Sequence, residues 1–147
     1  MRILLLAAWL CWFNTTESKA QRSEIFAPSG KAIKGFDAVA FFTEHMPVKG
    51  KDSLSFQWKG AQWLFSTRKN MEQFKSDPEH FVPQYGGYCA YGTAGGYKAP
   101  TKTETWTIVN DKLYFNYNNG VKENWIKNQD KLIEKADALW PTIKEKP

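Results

Sequence analysis

The order of apolar and polar positions divides the chain into three stretches of different character. Met1-Arg2 carries one positive charge, Ile3 to Phe13 is apolar, and Asn14 to Lys19 is polar. After a polar lead-in with a turn at Pro28-Ser29-Gly30, alternation sets in. Leu54, Phe56 and Trp58 alternate with Ser53, Ser55 and Gln57, the period of two expected of a half-buried strand. A second strand over 62–65 follows Lys59-Gly60, which predicts a hairpin. Residues 67–76 read as a helix: Ser66 or Thr67 can cap it, Met71 and Phe74 share a face, and Asp77-Pro78 ends it. Asp77-Pro78-Glu79 then opens a short helical turn, with proline at its favoured first position.

A second hairpin is predicted from 105–109 and 113–117 across Asn110-Asp111-Lys112. Trp106 and Ile108 would face one side, as would Leu113, Phe115 and Tyr117 on the partner strand. The chain ends in helix, over 121–128 and 130–139, with Leu132, Ile133, Ala136 and Leu139 on one face and Pro141 closing it. The apolar run 35–42 suits either a buried strand or a turn of helix. The fold class expected is α+β: one domain, with a small antiparallel sheet built from hairpins packed against several helices.

The first stretch has the form of a secretory signal: a charged start, a short apolar run, and Ser18-Lys19-Ala20 as a small-x-small cut site. The apolar run falls short of the ~20 residues that cross a bilayer. A lipoprotein anchor would need a small residue before Cys11, where Leu10 stands. Cleavage near Ala20 is expected, giving a periplasmic or secreted protein with no membrane span in its mature form. Residues 1–20 are then the signal, 21–33 the lead-in, 34–142 the domain and 143–147 a tail. Oligomeric state has no signature in the sequence.

Export also decides the thiol inventory. Of the two cysteines, Cys11 leaves with the signal and Cys89 remains alone, so no internal disulfide forms. The net charge of +5 is spread among acids, as in Lys122-Glu123 and Glu134-Lys135. Nucleic-acid binders cluster their basic residues on one face, so no nucleic-acid partner is expected. Ten Phe, seven Trp and six Tyr must mostly build the core. Tyr85, Tyr88, Tyr91 and Tyr97, set among glycines, suit either an apolar ligand cleft or a compact core with tight turns.

Trp58-x-Gly60-x-x-Trp63-x-Phe65, then Phe74, then Asp77-Pro78-Glu79-x-Phe81, resembles the YHS domain. Gly35-Phe36-Asp37-x-Val39-Ala40, the segment from Tyr85 to Tyr91, and Trp106-Thr107-Ile108-Val109 resemble its small exported branch, so the resemblance runs over about 34–142. It implies metal binding, with copper as the candidate cofactor. Metal-binding members read Asp-Pro-Val-Cys near the start and Phe-Cys-Ser-x-x-Cys ahead of the helix. Aligned on Asp37 and Phe65, those cysteines fall on Ala40, Ser66 and Asn70, and a histidine common in the first hairpin falls on Trp58. A soft ion prefers sulfur, then imidazole, and these positions supply neither.

A metal site would therefore centre on Cys89, with His80 as the second ligand; His45, Met46 and Met71 are more remote helpers. Against it stands the reading of Cys89 as a small buried hydrophobe. Cys89, His80 and Asp37 can also be written as a thiol nucleophile, base and orienting group, although no local signature of a catalytic cysteine is present. Asp37, among apolar residues, is expected to cap a helical start or to bond backbone amides. The leading expectation is an exported, non-enzymatic binding domain that takes a soft metal ion at Cys89 and His80. The alternative is an aromatic-pocket or partner-binding module, with a small apolar ligand, that kept the fold and lost the metal; a thiol enzyme stands third.

Overall fold

The computed structural model describes residues 23–147, so the expected signal, residues 1–20, and Cys11 lie outside the described residues. Both hairpins form, but as two separate two-stranded antiparallel sheets rather than one. The first pairs β1 (Lys51–Trp58) with β2 (Ala61–Phe65), Phe56 opposite Trp63, with the register shifting between Lys51 and Ser55. Leu54, Phe56 and Trp58 are half-buried and their neighbours exposed, as the alternation requires. The second pairs β3 (Thr107–Val109) with β4 (Lys112–Tyr114). Asn110 and Asp111 both have positive φ, 49° and 60°, the backbone of the tight turn whose twist matches the flanking strands.

Among the described residues six α-helices accompany the hairpins. The run at 35–42 resolves into a helical turn, α1 (Ala40–Thr43), rather than a strand. Helix α2 (Arg68–Ser76) is capped by Thr67, whose side chain accepts from the Asn70 amide, and α3 (Pro78–Phe81) follows with proline in its first turn. Then come α4 (Ala90–Ala94), α5 (Asn119–Lys127), capped by Asn118, and α6 (Gln129–Ile143). Helix α6 runs past Pro141 instead of ending there, and no described helix is long and apolar enough to cross a membrane.

Two apolar clusters form the core. In the larger one Phe74 of α2 packs on Trp58, Trp63 and Phe65 of the first hairpin, with ring centroids 4.8–5.7 Å apart. The smaller holds Tyr85, Tyr114 and Trp125 against α4 and α6. Strand β4 stands between them, because Leu113 and Phe115 face the first cluster and Tyr114 the second. Tyr117, expected inside with Phe115, is 49% exposed. A strand buried on both faces shows no alternation, so the sequence pattern placed only one face correctly.

Candidate functional site

The Asp37 carboxylate is fully buried and accepts five hydrogen bonds. Oδ1 takes the amides of Val39 at 2.9 Å and Ala40 at 3.3 Å, which caps α1. Oδ2 takes the Ser66 amide at 2.8 Å, the Ser66 hydroxyl at 2.7 Å and the Asn70 side-chain amide at 2.8 Å. The three positions aligned with the family's cysteines thus converge on one carboxylate. They bring two backbone amides, a hydroxyl and an amide, all donating hydrogen bonds inward. This set does not fit a soft metal: it contains no sulfur or imidazole, and the carboxylate's acceptor capacity is already used.

Cys89 precedes α4, where its buried Sγ accepts from the Gly92 amide at 3.4 Å and donates to Asn116 Oδ1 at 3.5 Å. Its amide donates to the Ala99 carbonyl, and the next amide, of Ala90, donates to that of Phe115. His80 sits elsewhere, partly exposed at the end of α3. Its Nε2 lies 2.8 Å from Asp111 Oδ2, and its ring stacks on Phe81 with centroids 4.6 Å apart. His80 is therefore tied to the turn preceding β4 and Cys89 to the residue following it. Four residues of strand span about 13 Å, whereas two ligands of one ion lie within about 4.6 Å of each other. The structure does not bring the pair together. Among the described residues no three His, Cys, Asp or Glu side chains are grouped to hold a metal ion. His45 lies in a loop at φ 54°, and Met46 beside it is 52% exposed.

A feature with no sequence signature is a cleft of about 330 Å³, at the small end of the ~300–1,000 Å³ usual for ligand pockets. Its walls include Lys59 from the first hairpin turn, Tyr85-Gly86, Lys112 of β4, and Asp137 and Trp140 of α6. Of the four tyrosines set among glycines, only Tyr85 lines it; Tyr91 and Tyr97 are 41% and 55% exposed. Tyr85 has φ 57°, a left-handed backbone that costs a non-glycine residue ~1–2 kcal/mol. The conformation is held by the Tyr85 hydroxyl, which donates to Asp137 Oδ1 at 2.8 Å, and by an edge contact with Trp140. Gly86 must be glycine: φ is 62°, and a Cβ would overlap the Glu24 carbonyl oxygen.

Lys59 bridges the cleft wall to Glu24 at 3.2 Å and Glu79 at 3.4 Å. Burial works against its charge, but the two carboxylates outweigh it and raise its pKa above the usual value. Burial, and after it the Asp137 carboxylate, holds the Tyr85 hydroxyl far above the ordinary tyrosine range. The same two causes push Tyr114 up to about 12. The Asp137 carboxylate thus stands beside two phenols that hold their protons. The turn at Lys59-Gly60 is legible in the sequence, whereas Asp137 falls inside the expected 130–139 helix and Trp140 just past it, and neither carries a local signal.

Searches against curated proteins and against solved structures gave no match. A family model does match: that of the YHS domain, over residues 39–85. The matched segment contains Ala40, Ser66 and Asn70 and ends at Tyr85; Cys89, Asp137 and Trp140 lie beyond it. The segment similar to the YHS domain thus takes in α1, the first hairpin, α2, α3 and the turn leading to Tyr85, which supply the donors of the Asp37 hub and one wall of the cleft, while Asp37 itself stands two residues before it.

Proposed function

We propose that this chain is an exported, non-enzymatic binding domain that kept the YHS fold, gave up the family's cysteine metal site, and binds a small molecule in the cleft at Tyr85. The observation that carries the proposal is the Asp37 hub: all three family-cysteine positions donate hydrogen bonds to one buried carboxylate. A hub of this kind is a closed structural element, and removing it would strand several buried donors. Cys89 supports the same reading, since its sulfur is buried as a helix-capping acceptor and has no histidine base beside it.

The test has two arms on the reduced, purified protein. Offered Cu(I) against a competing chelator, it should take up no stoichiometric metal. One equivalent retained, and lost in Cys89→Ala, would restore the soft-metal reading. In the second arm, a library of small fragments of mixed charge is screened by NMR. At least one fragment should shift the Gly86 amide and the Trp140 indole together; a library with no such fragment removes the cleft from the proposal. Native-state thiol titration adds a check, because Cys89 should react only on unfolding.

A further inference from the structure

The geometry points to an organic ammonium ion, a small amine with an apolar body, as the ligand of this cleft; the inference rests on the cleft reading above. Five charged side chains line it, three carboxylates (Glu24, Glu79, Asp137) and two ammonium groups (Lys59, Lys112). Lys59 is engaged with Glu24 and Glu79 together, so that trio leaves an excess of negative charge on the same wall. Among the described residues Asp137 has no cationic partner. Its Oδ1 accepts from Tyr85, and Oδ2 makes no hydrogen bond with the protein. An unpaired carboxylate in a concave site attracts a cation by simple Coulomb complementarity.

The second observation is aromatic. Trp140 lies three residues after Asp137 on α6, so the two side chains share a face. Tyr85 packs against the Trp140 ring with centroids 5.9 Å apart, which gives the cleft two aromatic rings beside its carboxylate. Ring faces carry negative potential and attract ammonium groups, most strongly for tryptophan. A carboxylate beside two aromatic rings is therefore a matched environment for an alkylammonium head with an apolar tail. Lys112 also lines the cleft and, by charge repulsion, disfavours a second cationic group on the ligand.

The discriminating measurement is an NMR titration of the purified protein with phenethylammonium and with its anionic counterpart, 3-phenylpropionate. Phenethylammonium should shift the Gly86 amide and the Trp140 indole saturably. Asp137→Asn, which retains an acceptor for Tyr85, should weaken it at least tenfold, Trp140→Leu should weaken it several-fold, and Lys112→Met should tighten it. Preference for 3-phenylpropionate, with affinity lost in Lys112→Met, would overturn the ammonium assignment. So would equal affinity of the wild type and Asp137→Asn for the amine. If neither probe binds while other fragments shift the same resonances, the ligand class is wrong and the cleft stands. If no fragment reaches the cleft, both fall.

Discussion

At the scale of single residues, Asp37 and Asp137 show how one side-chain chemistry divides by environment. Asp37 is saturated by five donors in the core, while Asp137 accepts one phenol at the edge of a cleft. Asp37→Ala should cost at least ~3 kcal/mol, because hydrogen bonds to a charged group are strong and the donors left behind are buried. Asp37→Asn should cost less, since it keeps one acceptor oxygen; urea denaturation ranks the two. The tyrosines give a pH prediction. Because folding raises the Tyr114 pKa from 10.0 to about 12, its contribution to stability is complete below pH 10 and is lost as pH rises towards 12. Phenolate absorbance should show this late titration, and Asp137→Asn should move its midpoint down without bringing it to 10, because burial is the larger cause. Asp37 was legible as a capping carboxylate from its apolar neighbours. Its link to Ser66 and Asn70 was not, since those residues lie far along the chain and only packing joins them.

At the scale of elements, adjacent residues with similar side chains take different jobs. Ser66 and Thr67 were equivalent capping candidates in the sequence. In the fold Thr67 caps α2 and Ser66 turns to the Asp37 hub. Thr67→Ala and Asn118→Ala should therefore each cost about 1 kcal/mol, the ordinary value of a lost helix cap. Ser66→Ala should cost more than Thr67→Ala, because it leaves a buried carboxylate short of a donor; thermal melts of the three variants decide the order. Both hairpins and four of the six helices were readable, since each is set by local periodicity and turn residues. The burial of Tyr114, the exposure of Tyr117 and the passage of α6 through Pro141 were not. Each depends on which other element lies alongside, and local pattern carries no record of that.

At the scale of the whole molecule, the first and last of the described residues are tied into the fold beside the cleft. The Phe26 amide donates to the Gly86 carbonyl at 2.8 Å, and the Lys98 ammonium reaches the carbonyls of Ser23, Lys144 and Lys146. Gly86 is the hinge of this arrangement, because its backbone lies against Glu24. Gly86→Ala should lower stability by at least ~2 kcal/mol, combining a left-handed backbone with a steric clash. It should also free the segment around Glu24, which hydrogen exchange would detect as lost protection at Phe26. The same variant should weaken any ligand of the cleft, since Glu24 and Ile25 belong to its wall.

Sequence alone determined the family resemblance, the α+β class, both hairpins, the helix that follows the first, and the expectation of an export signal. These are consequences of short-range spacing: apolar periods, turn residues and caps act over a few positions. It also determined that the family's cysteine positions hold no sulfur. Only the tertiary structure decided that those positions close around Asp37, that Cys89 and His80 belong to opposite ends of β4, and that Tyr85, Asp137 and Trp140 meet at one cleft. Each of these joins residues dozens of positions apart, or separates residues near in sequence. Such pairings arise from how two apolar clusters pack on either side of one strand.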